Sequence, residues 1–279
     1  DDVESRGLGD VYKRQHQRRQ EMQNLYPLFE RNRILKKELL WSLRDYSFSH
    51  VQLEYLEYGQ GIIRGCDIKV QGEELVVGPG MIKYGQFICL MMEEQRIHYE
   101  PSDQIQYLKI KITVDRRSAD YIAYQIDLLL DQEEEKNENE FELCRFNLRS
   151  GARLRDQYKN FADMETEYDT INLIFADWSA QGGKALHPCI IRYFAEVILN
   201  SEKSQTEDSC LAYLCVNQTG AISVSVLAGY INKRTEKRFN QNTGNADFYK
   251  AICAIVEDME RGGQNGSKGM KERRHILVD

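Results

Sequence analysis

The sequence predicts an α+β protein with an N-terminal helix, an antiparallel β-rich domain and a C-terminal helical bundle. Three observations indicate this class. Leucines recur at helical spacing near the N-terminus, short apolar runs separated by glycine fill the following half of the chain, and helical spacing returns after Pro188. Strands grouped before helices, without regular alternation of the two, are typical of α+β proteins.

Residues 1–21 are set apart from the fold prediction. The string "GDVYKRQ", residues 9–15, matches the translation of a transposon end used in sequencing-library adapters. If Arg18 and Arg19 are both encoded by AGG, the DNA before Met22 reads as a bacterial ribosome-binding site. We therefore interpret the segment as adapter followed by untranslated leader, and Met22 as the start of the protein. A basic N-terminal arm is the alternative, and CGN codons at the two arginines would remove the leader argument.

Composition bounds the class of protein. A chain of 279 residues can bury a substantial core without disulfides. Its net charge of −7 argues against broad binding to nucleic acid or to an anionic membrane. No apolar run approaches the roughly 18 residues that a membrane-spanning helix needs, and no secretory segment is recognised. The sequence therefore predicts a cytoplasmic protein.

The cysteine pattern favours free thiols. The seven cysteines are odd in number, irregularly spaced and without a CxxC pair, which fits buried thiols in a reducing compartment. The five histidines are scattered, and only His187 lies near a cysteine in sequence. A metal site needs clustered histidine and cysteine, so none is predicted.

The first predicted helix covers Leu28–Asp45. Pro27 suits the first turn of a helix, where its missing N–H costs nothing. Four leucines share one face at helical spacing, and they are Leu28, Leu35, Leu39 and Leu43. This face either packs in the core or docks on a partner protein, and the sequence leaves both readings open.

Strands are predicted over Cys66–Val70, Glu73–Val77, Gln86–Met91, Gln106–Val114 and Tyr121–Leu130. Gln71-Gly72 and the Gly78–Gly80 triplet are predicted to be turns between antiparallel partners, because glycine supplies positive φ. In the fourth strand Ile110 and Ile112 alternate with Lys109 and Lys111, which is typical of a half-buried strand.

An acidic segment, "DQEEEKNENE", covers Asp131–Glu140 between two strands. Like charges repel and remain hydrated, so we expect a solvated loop. Adjacent carboxylates of this kind do not form a general acid–base pair, because nothing in the sequence buries one and leaves its neighbour ionised.

The second half of the chain is predicted to be mostly helical. Helices are expected from Pro188, over Glu207–Gln218 and Ala221–Ile231 with a hinge at Thr219-Gly220, and over Ala246–Glu260. The predicted organisation is therefore an N-terminal helix with a β-rich domain (22–150), a mixed connector (151–185), a helical domain (186–261) and a flexible tail (262–279).

The sequence lacks the common motifs of catalysis and cofactor binding. The pattern GxxxxGK[ST] is absent, since Gly183-Lys184 is followed by Ala185 and Trp178 occupies the position of the first glycine. No GxSxG, HExxH or HxE with CxxC occurs. The sequence predicts no enzyme, no cofactor and no metal.

Two binding functions are compatible with the sequence. The helix pair at 207–239 could form a helix-turn-helix that contacts nucleic acid through the cations beside it, Lys233, Arg234, Lys237 and Arg238. Near-neutral charge over the helical region makes an ordinary helical hairpin the preferred reading. Alternatively, the 16 tyrosines could line a ligand-binding groove of the β domain, although strand propensity explains them equally well.

Two segments resemble a known class of proteins. "GIIRGCDIKVQGEELVVGPGMIKYGQFICLM", Gly61–Met91, is similar to the glycine-punctuated hairpin near the N-termini of phage tail and baseplate proteins. "NEFELCRFNLRSGARL", Asn139–Leu154, is similar to a later strand of such proteins that ends in a Gly-Ala turn. The order of helix, hairpin and helical region resembles TssK-like baseplate components of type VI secretion and contractile injection systems.

This resemblance implies a non-enzymatic structural protein. Baseplate parts are symmetric assemblies whose function is contact, so we expect a homo-oligomer that also binds other baseplate or tail proteins. The residues expected to form the interaction surface are Leu35, Leu39 and Leu43 of the helix and Gly61, Gly65, Gly78 and Gly80 of the hairpin.

Overall fold

A computed structural model describes residues 28, 31, 34, 36–118, 120–165, 168–235 and 237–261. They fall into two compact units, one ending at Glu54 and the other beginning at Tyr55. The described elements confirm the α+β class with antiparallel sheets. The interpretations of residues 1–21 and of the tail at 262–279 lie outside the described residues.

The first unit contains helix α1, Lys37–Glu54. The predicted bounds, Leu28–Asp45, were wrong at both ends, since the described residues before Lys37 are not helical. The predicted start depended on Pro27, whose preceding Tyr26 lacks the short polar side chain that caps a helix. The helix continues past Asp45 because no glycine or proline interrupts the chain until Gly59.

The second unit begins with six short strands: β1 Gly61–Gly65, β2 Ile68–Gln71, β3 Glu74–Val77, β4 Gly80–Tyr84, β5 Phe87–Met91 and β6 Gln95–His98. Strands β2, β3 and β5 confirm predicted strands with shifts of one or two residues at their ends. Strands β1, β4 and β6 were not predicted, because glycine at the start of β1 and β4 and charge in β6 weaken the strand pattern.

These six strands form one bent, three-stranded meander. Gly65 pairs with Gly80 and Ile68 pairs with Val77 in the same register, so β1–β2 and β3–β4 are the two arms of one long hairpin. The arm β5–β6 pairs along the outer side of β3–β4. Because each arm bends midway, β1, β4 and β5 belong to one sheet and β2, β3 and β6 to another.

The glycine-containing links have different roles in this meander. The turn predicted at Gln71-Gly72 lies one residue later, because Gln71 ends β2 and pairs with Glu74, and Gly72 and Glu73 form the turn between β2 and β3. The Gly78–Gly80 triplet is not a turn between antiparallel partners, because β3 and β4 lie in different sheets. It is the bend of one arm. The Cys66 N–H donates to the Pro79 carbonyl at 3.0 Å and the Gly78 N–H donates to the Asp67 carbonyl at 2.9 Å, so the ladder continues across the bend.

A third sheet has the order β8–β7–β9, with β7 at Ile105–Asp115, β8 at Ala123–Asp131 and β9 at Glu140–Asn147. Ile110 and Ile112 are buried as predicted. Lys109, predicted to lie on the polar face of a half-buried strand, is buried as well.

The segment at 151–185 contains a short helix and two strands: α2 Phe161–Glu165, β10 Trp178–Ala180 and β11 Gly183–Ala185. Strand β10 pairs in parallel with β1 at Trp178 and Ile62, and β11 pairs with β10. The five-stranded sheet therefore has the order β11–β10–β1–β4–β5. The division into domains at residues 150 and 185 stays a prediction.

Four helices follow: α3 Pro188–Leu199, α4 Thr206–Asn217, α5 Val224–Arg234 and α6 Asn245–Arg261. Helix α3 packs on α4 and α6, and α5 packs on both of them too. The residues of α6 predicted to face inward are buried, namely Phe248, Ile252, Ile255, Val256 and Met259. Among the described helices, none has the length and apolar character to cross a membrane.

The bend generates a stability prediction. Replacing Gly65 by alanine should lower the free energy of unfolding by at least about 3 kcal/mol, because φ is +69° and an added Cβ would collide with the Pro79 carbonyl. Gly72→Ala is the matched control. Its φ is +65° but no atom lies within 4 Å of the added Cβ, so only the backbone penalty of about 1–2 kcal/mol remains. Urea denaturation measures both, and equal losses would contradict the collision.

Candidate interaction surface

Helix α1 carries apolar side chains that its own unit does not bury. No residue of the helix is buried, and its exposed large apolar residues are Leu40, Trp41, Leu43, Tyr46, Phe48 and Leu53. Leu43 is 42% exposed and Leu39 is half-buried. Leu35, the third predicted contact residue of this helix, lies outside the described residues.

The spacing along α1 defines two apolar faces. Leu39, Leu43, Tyr46, His50 and Leu53 follow one another at steps of four and three residues, which aligns them as a coiled-coil seam does. Trp41 and Phe48, seven residues apart, lie on the opposite side. An isolated helix of this length is marginal in water, and its stability in proteins comes mainly from packing of its apolar face. The helix is therefore suited to bind another apolar surface.

The four predicted contact glycines lie in the bent meander. Added side chains at Gly61, Gly65 and Gly80 would collide with the Asp177 carbonyl, the Pro79 carbonyl and the Cys66 side chain. At Gly78 the nearest atom would be the Asp67 carbonyl oxygen at 3.6 Å, an ordinary contact. Three of the four glycines thus allow close approach of neighbouring backbone inside the unit. Their part in binding a partner stays a prediction.

A buried lysine holds the acidic loop. The Lys109 side chain is 1% exposed. Its ammonium lies 3.0 Å from the nearer Asp131 carboxylate oxygen and donates to the backbone carbonyls of Glu133 and Glu135. Three oxygen acceptors around one ammonium compensate for its loss of water. Glu133, Glu134, Glu135 and Glu138 are exposed as predicted, whereas Asp131 is half-buried and Glu140 is buried. The backbone of the loop is fixed to the sheet.

Arg145 of β9 adds a second attachment for the same loop. Its guanidinium forms two hydrogen bonds with the Glu142 carboxylate, at 2.7 and 2.9 Å, and a third with Glu134 of the loop at 3.0 Å. The guanidinium carbon lies 3.8 Å from the centroid of the Phe175 ring, which is a cation–π contact. Burial raises the pKa of Glu142, and its hydrogen bonds with Arg145 oppose that rise.

Asp177 completes this ionic cluster, which we define as Lys109, Asp131, Glu134, Lys136, Glu142, Arg145 and Asp177. Its carboxylate accepts hydrogen bonds from Lys136 Nζ at 2.6 Å and from the Glu142 N–H at 2.7 Å. The sequence did not predict the cluster. The one signal was a lysine inside an apolar strand with acidic residues two dozen positions later, and that spacing alone does not specify contact.

The helical region has a second buried ionic group, centred on Asp208. This fully buried carboxylate accepts from the Gln205 N–H at 2.8 Å and from the Tyr230 hydroxyl at 2.7 Å. Arg234 Nε lies 3.3 Å from it. Arg234, predicted as a nucleic-acid contact, is thus turned toward the interior between α4 and α5.

The other predicted nucleic-acid contacts have a different position. Lys233, Lys237 and Arg238 are exposed. Three of the four predicted cations are therefore exposed, and the fourth, Arg234, lies beside the buried Asp208. Nucleic-acid binding through these residues stays a prediction.

The thiols of Cys66 and Cys189 and the imidazole of His187 are uncharged at neutral pH. Burial raises the pKa of Cys66 and of Cys189 to about 12, so both stay protonated. Burial, followed by the nearby Arg192 cation, lowers the pKa of His187 to about 3. His187 Nδ1 accepts from the Cys189 N–H at 3.2 Å and so caps the start of α3. Within the described ranges no three histidine, cysteine, aspartate or glutamate side chains could together hold a metal ion.

A small cavity of about 170 Å³ lies between α2, the segment after Asn172 and the start of α6. Its lining includes Glu165, Tyr249 and Lys250. The Tyr249 hydroxyl donates to the Phe161 carbonyl, and Asn172 Nδ2 donates to the Glu165 carbonyl. The Tyr249 hydroxyl and the Asn172 side-chain amide are thus used in internal hydrogen bonds.

The Lys109 attachment predicts a measurable stability difference. Lys109→Met keeps the apolar stem but removes the ammonium, which leaves Asp131 and two carbonyls without their partner. We expect a loss of about 2 kcal/mol and faster amide exchange in residues 131–140. Lys111→Met is the control on the same strand face, because Lys111 is 40% exposed and lies 3.7 Å from Glu140; its loss should stay below about 1 kcal/mol. Equal losses would show that the buried ammonium of Lys109 stabilises the fold no more than the exposed ammonium of Lys111 does.

Arg234 provides a second test. Arg234→Ala leaves the buried Asp208 without its cation and should lower the free energy of unfolding by about 1–3 kcal/mol. Lys233→Ala, one residue earlier and exposed, should change it by less than about 0.5 kcal/mol. Thermal unfolding followed by circular dichroism measures both changes. If Arg234→Ala left the free energy of unfolding unchanged, the structural role assigned to this arginine would be wrong.

Comparison with known proteins gives matches in structure alone. No family model and no curated protein matches the sequence. The chain is similar to a chain of the type VI secretion TssK–TssF–TssG baseplate subcomplex, at 6% identity and a TM-score of 0.38, covering 84% of this chain and 100% of that one. It is similar to TssK in a crystal structure at the same identity and TM-score, covering 85% of this chain and 72% of that one.

Proposed function

We propose that this chain is a non-enzymatic structural component of a bacterial phage-tail-like or contractile injection apparatus, acting in the cytoplasm as part of a baseplate. The choice of apparatus rests on the resemblance of Gly61–Met91 and Asn139–Leu154 to segments of phage tail and baseplate proteins. The observation that carries an assembly role is helix α1, whose apolar residues are not buried. Contiguous exposed apolar residues mark sites of protein contact.

Association between copies of the chain is compatible with the charges of α1. The helix carries Lys37, Glu38, Arg44, Asp45 and Glu54, so both signs are present and two copies would not repel each other strongly. Its four-three spacing suits a coiled-coil seam. We therefore propose that copies of the chain associate through α1, with other baseplate or tail proteins as further partners.

The second unit is internally fixed, which suits a component of a large assembly. The bent meander is closely packed at its glycines, and the ionic cluster fixes the acidic loop to the sheet. A component that transmits position through an assembly needs such internal fixation, because loose elements would let the contact surfaces move.

A nucleic-acid-associated protein is the second candidate, and exposed Lys233, Lys237 and Arg238 favour it. Such a protein would shift duplex DNA with a steep dependence on salt concentration. Replacing the three lysine and arginine residues by alanine would abolish that shift while leaving the fold intact. The absence of a shift at low salt would remove this candidate.

The assembly proposal is tested by a charge placed on α1. Leu43→Glu puts a carboxylate in the middle of the apolar seam and should convert the oligomer to monomer at micromolar concentration, because burying an unpaired charge opposes association. Light scattering measures the mass. Gln52→Glu, an equally acidic change on the side of α1 away from the seam, should leave the mass unchanged. An unmodified chain that is monomeric at all concentrations would contradict the proposal.

A further inference from the structure

Helix α1 has a second row of side chains outside its apolar seam. Lys37, Trp41, Arg44, Phe48 and Val51 follow one another at steps of four and three residues, which aligns them along one side of the helix. Trp41 is 46% exposed and Phe48 is 66% exposed, and Val51 is half-buried. We call these five residues the Trp41 row. Its two aromatic rings are therefore available for contact on a side of α1 that does not include the seam.

The Trp41 row also carries two cations. Lys37 and Arg44 are the only lysine and the only arginine of α1, and both lie in this row. The Lys37 ammonium lies 4.5 Å from the centroid of the Trp41 ring, which is a cation–π contact. Arg44 pairs with Asp45 at 2.6 Å, but these side chains are 58% and 63% exposed, and a pair so exposed contributes little to stability. Both cations are therefore available to a carboxylate of another molecule.

The charge around this row is opposite in sign to that of the whole chain. Residues 31–45 contain five lysines or arginines and two carboxylates, which gives a net charge of +3, whereas the chain carries −7. Arg31 and Lys36, which precede α1, are exposed as well. The two carboxylates, Glu38 and Asp45, border the row on one side only. A local excess of positive charge on an acidic protein favours contact with an acidic partner.

A segment of another protein suits the Trp41 row better than other occupants do. Nucleic acid and an anionic membrane present many phosphates, which the net charge of −7 repels. A second copy is assigned to the seam on the other side of α1. A further contact between copies on the opposite side of the same helix would extend the assembly without closing it, whereas most soluble oligomers are closed.

We propose that the Trp41 row binds an amphipathic helix of a different protein. The apolar face of that helix packs on Trp41 and Phe48, and the glutamate or aspartate residues that flank this face pair with Lys37 and Arg44. Packing on the aromatic rings supplies affinity, and the charge pairs fix the register of the partner. The inference rests on the proposed role of α1 as a contact helix and adds to it the chemistry of one further partner.

The test uses a blocked helical peptide of about 21 residues without tryptophan, with leucine at positions a and d of each heptad and glutamate at e and g. Trp41 reports binding, because the second tryptophan of the chain, Trp178, is buried. Added to the full chain, the peptide should shift the Trp41 emission to shorter wavelength as the ring leaves water, and raised salt should weaken the binding. The same peptide with lysine at e and g should give no shift. Equal shifts with both peptides, or a shift with neither, would overturn the proposal.

Two further measurements distinguish the other occupants. If phosphatidylserine vesicles or duplex DNA shifted the Trp41 emission more tightly than the glutamate peptide does, the row would be a phosphate-binding surface. If Trp41→Glu lowered the oligomer mass as Leu43→Glu is expected to do, a second copy would be the occupant. Either result would overturn the proposal.

Substitutions on the protein complete the test. The double change Lys37→Glu and Arg44→Glu reverses both cations of the row and should weaken binding of the glutamate peptide at least about tenfold. The helix should persist, because an anion in its first turn interacts favourably with the helix dipole. The matched control is Lys233→Glu with Lys237→Glu, since both lysines are exposed and the change in net charge is the same; it should leave binding nearly unchanged. Equal weakening by both double changes would assign the effect to net charge alone and overturn the proposal.

The two roles of α1 have separate readouts. Trp41 emission reports binding of the different protein, and oligomer mass reports association through the seam. An oligomer that forms while the glutamate peptide does not bind would reject this inference alone. A monomeric chain that binds the peptide would reject association between copies and leave this inference standing.

Discussion

The continuity of the backbone ladder across the bend is the constraint on which the rest of the second unit depends. At the bend, the Cys66 N–H and the Gly78 N–H each donate to a carbonyl of the neighbouring arm. Glycine at 65 and 80 lets the arms approach, and Cys66 itself has a positive φ of 59°. Two sheets thereby share the same three arms, so neither can move without bending the other.

Asp177 transmits this constraint to the third sheet. Its carbonyl accepts from the N–H of Ile62 in β1 at 2.8 Å, and its own N–H donates to the Glu142 carbonyl in β9 at 2.8 Å. Its carboxylate binds Lys136 of the acidic loop. One residue therefore joins the meander, the sheet with β7 and the loop. Strands β10 and β11 continue directly from this junction and lead into α3.

The parts that sequence could predict are those set by local chemistry. Alternation placed Ile110 and Ile112 in the core, and helical spacing identified the inward face of α6. The Gly78–Gly80 triplet was misread because glycine and proline mark turns and bends alike, and only the register of distant strands distinguishes them. Lys109 was misplaced for a similar reason. Its burial depends on the carbonyls of Glu133 and Glu135, which the chain brings back only after a full hairpin.

The same effect of sequence distance applies to helix α1, to strand β8 and to Arg234. The stripe of α1 was foreseeable, since Leu39 and Leu43 are close in sequence, although its extension to Leu53 depended on where the helix ends. The position of β8 at the end of its sheet was not foreseeable, because a strand's sequence does not say whether one or two neighbours pair with it. Arg234 was predicted to be an exposed cation because Lys233, Lys237 and Arg238 lie near it in sequence. It pairs instead with the buried Asp208, 26 residues earlier in the chain.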